Sequence, residues 1–224
     1  MVDDPTSTSD ARRERMVERQ IAARGVRDER VLRALREVPR HRFVPAQLAS
    51  AAYDDRALPL ACQQTISQPY VVALMIEALS LRASDRVLEV GTGSGYAAAV
   101  LSRIAAEVYT IERLAELADL ARKRLAELGY GNVRVRIGDG SLGWPEAAPF
   151  DAILVSAGAP GVPKTLESQL APGGRLVIPV GSADHGQSLL RITRLASDRL
   201  EREDLGEVQF VPLVGAEGWA PEPR

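Results

Sequence analysis

Cysteine occurs once in the chain, at Cys62, so no internal disulfide can form and a reducing cytoplasm is the expected compartment. Histidine is nearly as scarce, with only His41 and His185. Basic charge is not in excess: 28 Lys and Arg stand against 30 Asp and Glu, a formal charge of -2. Without a basic field there is no counterion-release energy to drive nucleic-acid binding, and no nucleic-acid partner is expected. Charge, Gly or Pro breaks every apolar run before the ~20 residues needed to cross a bilayer, so no membrane association is expected. Met1-Val2-Asp3-Asp4-Pro5 lacks the basic-then-apolar pattern of a secretory leader. Internal repeats and low-complexity stretches are also missing.

What is present is 224 residues, 46% hydrophobic and 26% charged, which suits one α/β domain with added elements. Residues 1–10 and 220–224 have little to bury and are expected to form an unstructured lead and tail around a single domain over 11–219. In its first part, 11–83, Met16, Val17 and Ile21 and then Val31, Leu32 and Leu35 recur at helical spacing, interrupted at Gly25 and stopped before Pro39. Two short helices follow from this. Pro45, Pro59 and Pro69 punctuate an irregular wall, and a helix over 70–81 closes it.

Over 84–182 strand and helix signals alternate: strands at 86–90, 107–111, 133–137, 151–156 and 175–180, helices at 96–106, 114–128 and near 164–170. Successive βαβ units predict a Rossmann-like, doubly wound, mainly parallel sheet. The stretch 183–219 reads as antiparallel strands at one edge, over 188–195, 200–204 and 207–213, with turns at Ser197-Asp198 and Gly206. Pro172-Gly173-Gly174 reads as a further turn.

Leu88-Glu89-Val90-Gly91-Thr92-Gly93-Ser94-Gly95-Tyr96 is a buried strand running into a glycine-rich turn that opens a helix, the build of a nucleoside site. Tyr96 occupies the third-glycine position of a dinucleotide fingerprint, which disfavours NAD. Glu112 ends the second strand about 20 residues past the glycines, placed to accept from both ribose hydroxyls. Asp139, beside Gly140 at the third strand tip, is placed to accept from an exocyclic adenine amine. Glu89 is placed to hold the glycine loop and attract a cationic amino-acid moiety. Each acid alone has a plainer reading, as a helix-start carboxylate, a turn former or a buried acid satisfied by backbone. Their occurrence at successive strand tips favours the cofactor site.

Thr65-Ile66-Ser67-Gln68-Pro69-Tyr70, the glycine turn, Gly138-Asp139-Gly140-Ser141-Leu142-Gly143-Trp144-Pro145, Leu170-Ala171-Pro172-Gly173-Gly174 and Phe210-Val211-Pro212-Leu213 together resemble the protein-L-isoaspartate O-methyltransferase family. The resemblance runs from about Arg15 to Trp219. It implies S-adenosylmethionine as methyl donor, S-adenosylhomocysteine as product, and isoaspartyl proteins and peptides as substrates, repaired through a methyl ester and a succinimide. It further implies that Ser67 is the active-site residue and that Thr65, Ile66, Ser67 and the turn Gly91, Thr92, Gly93, Ser94 and Gly95 line the cofactor. By the same resemblance Glu112 and Asp139-Gly140 hold its ribose and adenine, and Ser67, Gln68 and Val214 meet the acceptor. A monomer is expected, with no metal site.

Residue chemistry agrees with that reaction. A carboxylate of pKa ~4 is already ionised at pH 7 and needs no general base, so neither histidine is expected to be catalytic. Ser67 offers one neutral hydrogen bond to position a carboxylate; the plainer reading is a cap for the following helix. Val155-Ser156-Ala157-Gly158-Ala159-Pro160 replaces the Asn-Pro-Pro-Tyr-type turn of amine methylators, favouring an oxygen acceptor. Two departures stand out: Ala61-Cys62-Gln63-Gln64 where many members carry Gly-x-Gly-Gln, and Val214 where many carry Thr. Cys62, with no Lys, Arg or His beside it, is expected to be a small buried hydrophobe. Two alternatives share the fold: methylation of Asp in a biosynthetic precursor peptide, and an S-adenosylmethionine-binding module without turnover.

Overall fold

The computed structural model describes residues 8–182, 186–196 and 199–221, so His185 and the Ser197-Asp198 turn lie outside the described residues. Helix α1 spans Ser9–Arg15 and starts at Thr8, whose side chain accepts the Ala11 N–H. Ser9 and Asp10, expected in an unstructured lead, are therefore its first residues. The chain continues through a wider π turn, Met16–Ile21, and a 3-10 turn, Ala22–Arg24, ended by Gly25 in the left-handed region. Helix α2 follows over Glu29–Glu37, capped by the Asp28 carboxylate. Met16, Val17, Ile21, Val31, Leu32 and Leu35 are all buried, each contributing about 1.5–3 kcal/mol of transfer free energy.

Two short strands, β1 at Leu58–Pro59 and β2 at Thr65–Ile66, pair antiparallel before helix α3, Pro69–Ala78. The core then alternates as β3 Arg86–Val90, α4 Tyr96–Ser102, β4 Glu107–Glu112, α5 Ala115–Glu127, β5 Val133–Ile137, β6 Phe150–Val155, α6 Lys164–Ser168, β7 Leu170–Ser182, β8 Gly186–Arg194 and β9 Leu200–Val208. One sheet has the order β5-β4-β3-β6-β7-β8-β9. The first five strands are parallel and the last two antiparallel. The protein thus has the expected doubly wound α/β sheet with antiparallel C-terminal strands and N-terminal helices. Strand order reverses between β3 and β6, which opens a crevice above their carboxyl ends.

Alternation along each strand divides the core. Val87, Val108, Ala152 and Leu154 face the layer holding α2, α3 and α4, whereas Leu88, Val90, Ile111, Ile153 and Val155 face the other. Several boundaries differ from the sequence reading, among them the end of α3 at Ala78 where 81 was expected. Gly206, at φ +112°, is taken up within β9, so 200–204 and the start of 207–213 form one strand, and Phe210–Leu213 leaves the sheet. Pro212 bridges Gly158 instead. Pro172-Gly173-Gly174 lies inside β7, where the register with β6 shifts. Helix α4 ends at Ser102, short of Ala106.

Candidate active site

Parallel register decides which side chains meet at the carboxyl edge of the sheet. Glu89 of β3 pairs with Thr110 of β4, so both side chains leave the same face just beneath the glycine turn. Thr110 Oγ1 donates to Glu89 Oε2 at 2.5 Å, and Thr92 Oγ1 lies 2.6 Å from Thr110 Oγ1. Glu89 is 1% exposed and lines the main cavity, and its Oε1 has no partner among the described residues. Burial pushes its pKa up to about 8, opposed by the Thr110 hydrogen bond and, more weakly, by the Ala98 backbone N–H at the start of α4, and assisted by the Glu112 charge. An unsatisfied buried carboxylate oxygen on a cavity wall suits a cation arriving from that cavity.

Backbone bonds fix the turn. Gly91 and Thr92 N–H donate to Ile111 O at 2.8 and 3.2 Å, and Gly93 N–H donates to Glu112 Oε2 at 2.9 Å. Glu112 Oε1 accepts the Leu114 N–H at 3.1 Å. The same carboxylate lines the cavity and keeps accepting capacity for hydroxyl donors.

Gly95 does not line the cavity. It sits at φ +85°, where a Cβ would stand 3.3 Å from Leu125 of α5, so its work is to let α4 pack on α5. Gly140 does line it, and a Cβ there would lie 2.4 Å from Val90 Cγ1. Only glycine lets the loop after β5 come that close to β3.

Asp139 also stands off the cavity lining. Its Oδ1 accepts the Ser141 N–H and Oγ–H at 2.9 and 2.7 Å, and its Oδ2 accepts the Ala216 N–H at 2.7 Å. Ser141 Oγ accepts the Glu217 N–H at 3.0 Å, and Glu217 Oε2 accepts the Thr165 N–H at 3.0 Å. Trp219 Nε1 donates to Gly158 O at 3.0 Å. Asp139 therefore helps fasten the segment after Leu213 across the strand tips, beside the cavity wall formed by Val211 to Val214.

Opposite that wall runs the segment Thr65 to Ser67. Thr65, buried Ile66 and Ser67 all line the cavity. Ser67 does not cap α3: Gln68 holds that position without a side-chain cap, and the Tyr70 N–H goes to Asp55 Oδ1 at 3.2 Å. A second, open cavity meets the first at Thr65, Ser67, Ser156 and Val211. Gln68 lines only the second, with Nε2 tethered to Asp55 O and Oδ2 at 3.1 and 2.8 Å. The space between these walls, counting its open mouth, is about 920 Å³.

The cavity gathers Thr65, Ile66, Ser67, Glu89, Gly91, Thr92, Gly93, Ser94, Glu112, Gly140 and Val214. Sequence reasoning missed Val72 and Met75 of α3, and Ser156 as a wall residue. Ser156 was findable, since it directly follows β6 and its N–H donates to Val90 O at 2.8 Å. Cys62 is exposed, contrary to expectation, and lies at φ +56°. Its Sγ donates to Glu116 Oε2 at 3.3 Å, and that hydrogen bond pushes the thiol pKa up, so a carboxylate restrains it where burial does not. His41 does not line the cavity; its Nδ1 lies 2.7 Å from the Tyr53 hydroxyl, and burial and then Arg13 and Arg42 lower its pKa.

Comparison with known proteins gives a consistent result. The chain is 61% identical over 209 residues to a protein-L-isoaspartate O-methyltransferase of Rhodopseudomonas palustris, covering 93% of this chain and 96% of that one. It is 61% identical over 208 residues to one from Pelobacter propionicus, covering 93% and 92%. A solved protein-L-isoaspartate O-methyltransferase superposes with a TM-score of 0.82 at 32% identity over 92% of this chain and 67% of its own. A Plasmodium falciparum structure described as such an enzyme, in complex with S-adenosyl-L-homocysteine, gives 0.79 at 25% identity over 90% and 98%. With the family model matched over residues 11–218, the chain belongs to the protein-L-isoaspartate(D-aspartate) O-methyltransferase family.

Proposed function

We propose that this chain transfers a methyl group from S-adenosylmethionine to the free α-carboxylate of L-isoaspartyl residues in proteins and peptides. The observation that carries the site assignment is the place of Ser67, on the wall shared by two adjoining clefts, one at the glycine turn and one reaching Gln68. The cleft at the glycine turn fits the donor: Glu89 Oε1 is a buried acceptor for an ammonium, and Glu112 is an acceptor for ribose hydroxyls. Gly140 lines the adenine end, and Asp139, off the lining, acts there by holding the Ser141 and Ala216 N–H groups beside it. The other cleft, reaching Gln68 and Phe210, takes the peptide.

When bound, S-adenosylmethionine supplies a methyl group made electrophilic by its sulfonium. Ser67 Oγ–H donates to one oxygen of the acceptor carboxylate and leaves the other free to attack in line. No proton has to be removed, because that carboxylate is ionised at neutral pH. Opposite charges cancel as the ester forms, so the site gains from excluding water and fixing alignment, which Ile66, Val72, Met75 and Leu213 supply as apolar wall. The backbone nitrogen of the following residue then attacks the ester carbonyl, methanol leaves and a succinimide forms, whose hydrolysis returns part of the residue to normal Asp.

A reducing cytoplasm and a monomeric state complete the proposal. Cys62 is the one thiol, and the exposed large hydrophobics among the described residues are Leu120, Ile137 and Leu142. No helix among the described residues is long and apolar enough to cross a membrane. The test is tritium transfer from methyl-labelled S-adenosylmethionine to an isoaspartyl peptide and to its Asp twin. Label in the isoaspartyl peptide alone is expected; equal label in both, or none in either, overturns the proposal.

A further inference from the structure

Arg40 heads the fully buried side chains by volume, at 0% exposure, on the 3-10 turn Arg40–Phe43. Taking a guanidinium out of water is costly, so its surroundings should show what it is kept for. Its Nε donates to Ala52 O at 2.8 Å and its Nη2 to Ser67 O at 2.8 Å. Its Cζ lies 4.8 Å from the centroid of the Tyr96 ring, and Tyr96 is the residue that follows the glycine turn and opens α4. One planar fork therefore touches the wall at Ala52, the acceptor segment at Ser67 and the cofactor helix at Tyr96. Both hydrogen bonds go to neutral carbonyls, which makes the fork a gauge of backbone position more than a partner in an ion pair.

From this geometry we propose that Arg40 is a positioning residue for methyl transfer: with its guanidinium seated over the Tyr96 ring and bonded to the Ser67 carbonyl, it sets where the Ser67 hydroxyl stands relative to the donor. The proposal rests on the reading of Ser67 as the group that holds the acceptor carboxylate. The peptide after Ser67 is clamped twice, by Arg40 at the carbonyl and by Asp55 at Gln68 Nε2 and the Tyr70 N–H. Releasing the first clamp frees the Ser67 peptide plane to rotate while the segment stays anchored at its far end. Cofactor contacts at Glu89 and Glu112 belong to other strands and are left in place, and Tyr96, which also lines the cavity, keeps its backbone position at the start of α4.

The test compares Arg40→Met, Arg40→Lys, Ser67→Ala and the double variant Arg40→Met/Ser67→Ala with the parent. Turnover on an isoaspartyl peptide, calorimetric affinity for S-adenosylhomocysteine and melting temperature are measured for each. Arg40→Met should lower kcat by about tenfold to a hundredfold, the scale of a ~1 Å misplacement, with cofactor affinity nearly unchanged. Arg40→Lys, which can reach one carbonyl and not hold both, should recover part of that loss and serves alone should the Met variant fail to fold. The double variant should be no slower than Ser67→Ala, because Arg40 acts through Ser67. A lower melting temperature with parent kcat, or losses that add in the double variant, would overturn the proposal while leaving Ser67 intact. Parent turnover in Ser67→Ala would instead remove the Ser67 reading, and this proposal with it, before any Arg40 variant is considered.

Discussion

Glu89 and Thr110 stand opposite each other in the parallel β3–β4 ladder and meet in a 2.5 Å hydrogen bond beneath the glycine turn. The bond occupies one carboxylate oxygen and leaves the other, buried and unpaired, at the cavity. The sequence reading gave Glu89 both loop support and attraction of a cationic group, and Oε1 is the atom proposed to receive that group.

With its pKa pushed up to about 8, Glu89 holds a proton at pH 7 in the ligand-free chain. An ammonium beside Oε1 favours the carboxylate, so S-adenosylhomocysteine binding at pH 7 should release up to about one proton. Calorimetry in buffers of different ionisation heat measures the release, and Glu89→Gln should abolish it. An equal release in the variant would reject the assignment. The same shift has a stability sign. Between the ordinary value of 4.5 and about 8 the folded chain keeps a proton that the unfolded chain has lost, so this group's contribution to stability falls as pH rises through that window.

Glu112→Ala should weaken S-adenosylhomocysteine binding by about 1–3 kcal/mol, the range for hydrogen bonds to a charged group. Part of that loss comes through the loop, because the variant also leaves the Gly93 and Leu114 N–H groups without their acceptor. Calorimetric affinity equal to the parent's would exclude Glu112 from the ribose site.

Gly95→Ala places a side chain at φ +85° and 3.3 Å from Leu125. It should cost about 1–3 kcal/mol of stability, seen as a lower denaturation midpoint, with a smaller effect on cofactor affinity. Loss of affinity at unchanged stability would restore a ligand-contact role to Gly95.

Gln63 and Cys62 are exposed non-glycine residues at φ +57° and +56°. Left-handed geometry costs an L-residue about 1–2 kcal/mol, which exceeds the entropy penalty of glycine at about 0.5–1 kcal/mol. Gln63→Gly should therefore hold or raise the melting temperature. A clear drop would mean that the Gln63 side chain has a stabilising role of its own.

Local pattern made much of the core legible. Strands β3 and β5 begin and end where apolar and alternating runs meet turn residues, whereas in the antiparallel tail Gly206 reads as a turn and the strand runs through it. The Ala61-Cys62-Gln63-Gln64 departure marked a loop in need of permissive residues, although the positive φ angles fall at Cys62 and Gln63 and not at Ala61. What stayed hidden depends on contacts far apart in the chain. Arg40 lies in Arg40-His41-Arg42, where nothing local separates the buried guanidinium from the exposed Arg42, and its partner Ser67 is 27 residues away. Asp139 reads as a turn former next to a cofactor site, and its bond to Ala216 appears only once the tail folds back over the strand tips.

The most direct measurement is a crystal structure of the chain with S-adenosylhomocysteine and an isoaspartyl peptide. The account predicts the ribose on Glu112, the amino-acid end toward Glu89, and the peptide carboxylate bonded to Ser67 Oγ with its other oxygen directed at the sulfur. A nucleoside seated away from β3 and β4, or a carboxylate held by other residues with Ser67 turned from the sulfur, would contradict it.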